Sequence, residues 1–396
     1  MSEEPKSIFA QALKREIKRL LYQGQARYLL LTSLGIVFCY VFFLTLMAEG
    51  QPEQLPIAIV DRDGSYLSRR LCHEINAMQG VQVVAVYNSH ASARKAMQRQ
   101  EIYAFLEIPK GTYNDVLSFT RPHLALYSNN AYLLSGALSY RSLATISKLA
   151  SGAVQREVLR KKGYDENRIM GLIQPIELDT HLISNPTANY QPYVLTTMLP
   201  GMLGLSVLLL TVYMIGKERK DGTLRQWLGH NALPALLGKL APYTLWFATL
   251  GVLGNIVLFG RSEEVAFLCG FELHGSFVLV ALFTLLLVTA MQATGVFLAG
   301  IIPDAHLSTC FAAIYGTLAF TMSGFSYPVD NMPGALQALA QIFPLRHYYM
   351  AVSRITLFGC GLSMCWVQVC ALLLFLLTGL VGTWRLTDSK TTYQQQ

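Results

Sequence analysis

Long apolar runs alternate with polar segments of very unequal length along this chain, and that alternation sets its architecture. Six runs contain no Asp, Glu, Lys or Arg: residues 28–47, 193–216, 241–260, 276–302, 307–327 and 361–384. Each has about the 20 residues an α-helix needs to cross a hydrocarbon core. Ahead of the first, Ile8, Phe9, Ala12, Leu13, Ile17, Leu20 and Leu21 recur at helical spacing, with Lys14, Arg15, Lys18 and Arg19 on another side. That pattern predicts an amphipathic interfacial helix, with Gly24 allowing the turn into the membrane. The alternative is a basic flank that only fixes orientation.

Between the first two runs the period changes. Residues 56–61, 81–87, 102–108 and 124–127 read as short strands, and 65–78, 91–100 and 112–119 as helices. This order predicts a small α/β domain, followed by a stalk helix over 131–162 and an extended return segment over 173–190. Before the last run, the pieces 334–343 and 346–357 are too short to span and are separated by Pro344. Their apolar content points to a re-entrant hairpin over 330–359, the alternative being an ordinary outer loop with surface helices.

The composition, 53% hydrophobic and 14% charged, fits a membrane protein carrying one sizeable polar domain. The first run is too long for a signal-peptide core and has no clear cleavage site after it. Charge then gives the orientation. Lys6, Lys14, Arg15, Lys18, Arg19 and Arg27 precede the first run, and Lys217, Arg219, Lys220, Arg225 and Lys239 follow the second. The short segments of the other side hold only Arg261, Arg346 and Arg354. Both termini and the 217–240 loop are therefore expected in the cytoplasm, in a multi-pass protein of the cell (inner) membrane. The net charge of +7 follows from that orientation, and no basic and aromatic platform suited to nucleic acid is present.

The predicted fold is a polytopic α-helical membrane protein. Six transmembrane helices carry an α/β extracytoplasmic domain between the first and second and a short re-entrant helical hairpin before the last. Its segments are a cytoplasmic amphipathic helix (1–27), a first span (28–47), the outer domain with its stalk (48–192), five further spans (193–384) and a cytoplasmic tail (385–396).

Candidate chemistry is sparse. A carrier driven by an ion gradient usually keeps ionisable groups at membrane depth, at about 2.5–3.5 kcal/mol each on insertion scales. These runs keep none, so the energy for transport is expected to come from elsewhere. A GxxxxGK[ST] loop is absent, so no nucleotide site is expected on this chain. Asp61 and Asp63 read as a turn and helix start more simply than as metal ligands. No Cys/His cluster has metal-site spacing, and no GxSxG elbow suggests an enzyme. His90, His123, His181 and His274 have no visible partner. Cys39, Cys310, Cys365 and Cys370 are expected as small core residues; Cys72, Cys269 and Cys360 face outside, where a disulfide is open to them.

Three stretches carry a resemblance. Residues 59–69, IVDRDGSYLSR, resemble the start of the external domain of ABC-2-type ABC transporter permeases. Residues 216–224, GKERKDGTL, are similar to the cytoplasmic Glu-Arg-x-x-Gly-Thr-Leu element of that family, continued by Pro234, Gly238 and Lys239. Ser323 to Pro328, Met332-Pro333 and Pro344-Leu345 are similar to its closing pattern. After Gly-Thr-Leu this chain reads RQWLGH where the family usually has an acidic residue and leucines.

The resemblance covers nearly the whole chain and is closest to long-ectodomain, multidrug-efflux-like export permeases. It implies an export permease with no cofactor of its own, ATP and Mg²⁺ belonging to partner ABC ATPase subunits. It also implies a second permease, as a homodimer or heterodimer, and an efflux system can add a periplasmic adaptor and outer-membrane channel; membrane lipids surround all of these. On this reading Glu218, Arg219, Gly222, Thr223 and Trp227 form the ATPase-coupling element, whereas a charged turn obeying the orientation rule is the plainer account. Pro328, Pro333, Pro344, His347 and Tyr348 belong to the re-entrant hairpin. The competing function is a membrane-anchored binding or assembly protein acting through its outer domain.

Overall fold

A computed structural model describes residues 5–22, 24–48, 50, 52–118, 120, 122–174, 189–228, 231–260 and 269–387. It divides into two compact units, residues 1–48 with 182–396, and residues 49–181. The larger unit begins with α1 (Pro5–Tyr22) and α2 (Ala26–Leu46). A helix thus stands where the amphipathic one was expected, followed by Gly24 in a left-handed conformation.

The smaller unit runs β1 (Leu55–Asp61), α3 (Tyr66–Asn76), β2 (Val81–Tyr87), α4 (His90–Gln98), β3 (Ala104–Ile108), α5 (Thr112–Leu117), β4 (Ala125–Ser128), α6 (Leu133–Lys161) and α7 (Glu166–Ile173). Its sheet has the order β2-β1-β3-β4, with β1 parallel to β2 and β3, and β4 antiparallel to β3. Alternation along β1 sorts the core. Ile57 and Ile59 face Leu71 and Ile75 of α3 and Leu143 of α6, while Ala58 and Val60 face Ala93 and Ala96 of α4. Ser65 and Ser89 cap α3 and α4, each accepting a hydrogen bond from the backbone three residues on.

Asp61 makes the turn expected of it. Its Oδ1 accepts from the Asp63 and Gly64 amides (3.0 and 2.9 Å) and its Oδ2 from Ser68 Oγ (2.8 Å). Asp63 reaches across to the Gly111 amide (2.8 Å). Among the described residues no group of three His, Cys, Asp or Glu could hold a metal ion. His90 differs from expectation: it meets Glu107 Oε2 at 3.1 Å and packs edge-on to Phe105 and Tyr127. Sequence spacing hid this pair because it forms only where α4 packs against β3 of the sheet. His274 likewise has a partner, the Thr356 carbonyl at 3.2 Å, whereas His123 is exposed. The expected extended return segment and His181 fall largely or wholly on 175–188, outside the described residues.

The larger unit continues with α8 (Tyr190–Lys220), α9 (Leu224–Leu228), α10 (Ala232–Phe259), α11 (Phe277–Ile301), α12 (Ala305–Met322), α13 (Gly334–Ala340), α14 (Pro344–Phe358) and α15 (Trp366–Thr387). This is a helical membrane protein: α2, α8, α10, α11 and α15 are long and apolar enough to cross a bilayer. The run expected to span over 307–327 is helical only to Met322. There Ser323 Oγ turns back to the Phe320 carbonyl and Gly324 takes φ +93°. With 18 residues, α12 is about 27 Å long, slightly short of a hydrocarbon core.

Helix α11 is central, packed against α8, α10, α12, α14 and α15, with Phe283, Leu287, Val288 and Ala290 fully buried. Three pairs of polar side chains inside this bundle meet without formal charge. Asn255 donates to Thr284 Oγ1 (2.8 Å), Thr244 to Gln292 (2.7 Å) and Trp246 to Ser33 (2.8 Å). The cysteines are all free. Cys365 is a core residue as expected, but Cys310 and Cys370 are exposed on their helices, where an apolar surface tolerates a small apolar side chain equally well.

Candidate functional site: a buried ionic knot at the helix ends

Helix α1 has one acidic residue among its basic ones, and the fold buries it. Glu16, Glu218 near the end of α8 and Lys239 near the start of α10 are only 2%, 2% and 3% exposed. Charges so far from water persist only when paired and hydrogen-bonded. Lys239 Nζ lies 2.8 Å from Glu218 Oε1 and 3.2 Å from Glu16 Oε2. Arg19 Nη1 bonds Glu218 and lies 3.9 Å from Glu16 Oε2. Two carboxylates therefore balance two cations.

Neutral groups complete the cluster. Tyr243 OH donates to Glu16 Oε1 at 2.8 Å, and Thr223 Oγ1 donates to Glu218 Oε2. The Gln25 amide fits with its nitrogen facing Glu16 (3.1 Å) and its oxygen facing Arg19 (3.2 Å). Lys239 Nζ also stands 5.0 Å above the Trp227 ring, an attraction to the aromatic face. A close helix contact makes this geometry accessible. A Cβ on Gly238 would come within 2.5 Å of the Phe9 carbonyl and 2.9 Å of Ala12 Cβ, so only glycine lets α1 lie this near α10.

Arg219 points elsewhere. Its guanidinium donates to the carbonyls of Ala299 (2.7 Å), Ile302 (3.1 Å) and Pro303 (2.6 Å). These are end-of-helix carbonyls of α11, where a cation also suits the helix dipole. Beyond the knot, Leu224 and Leu228 of α9 are buried against Ile215, Leu236, Val296 and Leu386. Gly222 makes the turn at φ +68°, with open space where a Cβ would stand.

The five residues expected to contact an ATPase thus divide. Glu218 faces inward, Arg219 is spent on α11, and Thr223 and Trp227 line the knot. Gly222 is exposed beside Lys220, Asp221 and Gln226. Glu16, Arg19, Gln25 and Tyr243 were not anticipated as partners; the lone acid in a basic amphipathic helix was the available signal.

The hairpin residues are also placed. Pro328 precedes a 3₁₀ turn, Pro333 caps α13, and Pro344 opens α14 at its first position rather than breaking a helix. Tyr348 is fully buried, its OH 3.4 Å from Thr284 Oγ1. His347 Nε2 donates to the Gln341 carbonyl (2.9 Å). The 341–344 turn and the first turn of α14 meet the middles of α12 and α15 respectively. Tyr315 OH, mid-way along α12, donates to the Ile342 carbonyl (2.5 Å), and the His347 ring lies 5.9 Å from that of Phe375 in α15.

A family model described as ABC-2 family transporter protein matches residues 27–385. The chain belongs to that family. It is similar to the probable multidrug ABC transporter permease YbhR of Escherichia coli (strain K12), 23% identical over 377 residues, covering 92% of this chain and 94% of that one. The inner membrane transport permease YhhJ of the same strain is 23% identical over 347 residues, 85% and 87% of the two chains. The resemblance expected from the external-domain, loop and closing motifs is thus shown for the family as a whole.

Proposed function

We propose that this ABC-2 family chain is the transmembrane permease subunit of an ABC exporter in a cell (inner) membrane, driven by a separate ATPase that docks on its cytoplasmic face. The observation that carries this reading is the buried knot of Glu16, Arg19, Glu218 and Lys239. It locks α1 and the 221–228 loop to α8 and α10, and Arg219 extends the connection to α11. A push on the exposed side of α1 or on the loop is therefore delivered to three long helices at once. Docking falls to what remains exposed: Lys14 and Lys18 of α1, and Lys220, Asp221, Gly222 and Gln226 of the loop. ATP and Mg²⁺ belong to the partner, as does hydrolysis.

On the same reading α12 is a sixth span. Leu307, Phe311, Ile314 and Leu318 form an exposed apolar face along its length, which suits lipid. The α13–α14 pair is a re-entrant hairpin, supported by its turn and the start of α14 reaching the middles of α12 and α15. Both termini lie in the cytoplasm. A second permease completes the translocation path; the name of the YbhR relative makes drug-like cargo the first to test, and a periplasmic adaptor with an outer-membrane channel follows only from the resemblance to efflux permeases.

Co-purification from detergent with an ABC ATPase tests the docking role. Reversing charge at Lys14, Lys18 and Lys220 together should abolish ATPase recovery while leaving the chain's unfolding transition in place. Unchanged recovery together with unchanged nucleotide-dependent export would remove this face as the docking surface.

A further inference from the structure

The gap between α11, α12 and α15 is filled along only part of its length. The 341–344 turn plugs it at the level of Tyr315 and Phe375. Around that turn a cavity of about 680 Å³ remains. Its walls include Phe297 and Leu298 of α11, Leu374 and Phe375 of α15, and Ile342 from the turn, and Leu374 among them is itself exposed on the outside of the bundle.

The wall chemistry selects the occupant. Among the described residues no Asp, Glu, Lys or Arg lines the cavity. Its polar side chains are already engaged within the protein: Thr294 with the Ala290 carbonyl (2.9 Å), Tyr315 with Ile342 and His347 with Gln341. Thr378 bonds the Phe375 carbonyl (2.6 Å) and Gln341 the Gln337 carbonyl (3.3 Å). The wall surface left open is almost entirely carbon, which suits an apolar occupant better than ordered water, since a buried water needs two to four polar partners. The volume lies within the range of small-molecule sites, about 300–1,000 Å³.

We propose that this cavity is a lateral binding site for a hydrocarbon chain, belonging either to a bilayer lipid or to an amphipathic cargo molecule. Its access from the bilayer rests on the permease reading; its preference for an apolar chain rests on the walls alone.

The full chain in nanodiscs of phosphatidylethanolamine and phosphatidylglycerol, with a trace of phospholipid carrying a diazirine in its acyl tail, tests this by photolysis and peptide mapping. Adducts at 294–298 and 371–378 should exceed those on the lipid-exposed α2 residues Leu31, Leu34 and Phe38 by at least about threefold per residue, as expected of a retained ligand rather than passing solvent. Ala371→Trp should lower the cavity adducts at least about fivefold by filling the space, with α2 labelling unchanged. If that variant loses α2 labelling too, it is misfolded, and Thr378→Phe on the other lip decides.

A photoactivatable fatty alcohol, used separately, distinguishes sources. Enrichment of the phospholipid alone means a resident lipid, and enrichment of the alcohol means a site open to cargo. Labelling even with α2 and indifferent to both variants overturns the proposal, as does a cavity protected from both probes by a second copy of the chain. ATPase recovery is independent of these readouts, so either idea can fail without the other.

Discussion

Removing Lys239 together with the acid it neutralises should cost clearly less than the two separate removals add up to. In Lys239→Met the carboxylates of Glu16 and Glu218 remain buried with Arg19 as their only cation. At an effective dielectric constant of about 20, each contact of roughly 3 Å represents about 5 kcal/mol of gross attraction, much of it offset by desolvation. The net cost of orphaning one partner of such a pair is about 3–5 kcal/mol. Glu16→Gln alone leaves an excess cation and should cost a comparable amount. The double variant leaves one balanced Arg19–Glu218 pair, so its cost should fall short of the sum by at least about 2 kcal/mol. SDS-driven unfolding in mixed micelles gives the four stabilities. Trp227 fluorescence reports the knot directly, because Lys239 Nζ stands over that ring. Single-variant costs that add within about 0.5 kcal/mol would refute the description of these residues as one coupled unit. The coupling should also survive high salt, since groups this buried are poorly screened.

Two glycines near the knot should behave differently. Gly238→Ala drives a Cβ into the α1 backbone and should release α1, seen as faster tryptic cleavage at Lys14 and Lys18. Gly222→Ala meets no atoms and costs only about 1–2 kcal/mol for its left-handed conformation, with α1 still protected. In the smaller unit, burial pushes the Cys72 thiol up to about 11. At pH 8 about 0.1% is then thiolate, against roughly a quarter for an ordinary cysteine, so maleimide labelling of a Cys72-only variant should be slow and rise about tenfold per pH unit up to pH ~11. A rate that levels off near pH 9 would contradict the burial of this thiol.

Much of the architecture was legible because membrane and sheet each impose a period. Charge-free runs marked the long helices, and the alternation of 56–61 and 102–108 marked strands that became β1 and β3. The 307–327 run misled at its end: composition stays apolar through Phe325, but Gly324 and the Ser323 turn stop the helix at Met322. Family motifs located the loop around Glu218 correctly in the chain while saying nothing of where its side chains point. Motif residues facing a partner and those facing the protein's own interior look alike in one dimension.

By itself, the sequence determined what depends on local pattern: which segments can lie in lipid, which form the α/β unit, and that a helix precedes the first span. The tertiary structure alone decided the pairing of charges. Glu16 and Lys239 are 223 residues apart, and although Glu16 stands out as the lone acid of its helix, nothing local says which cation it meets. Only the approach of α1 to α10 over Gly238 removes the water, and that desolvation turns four ordinary side chains into one interdependent group.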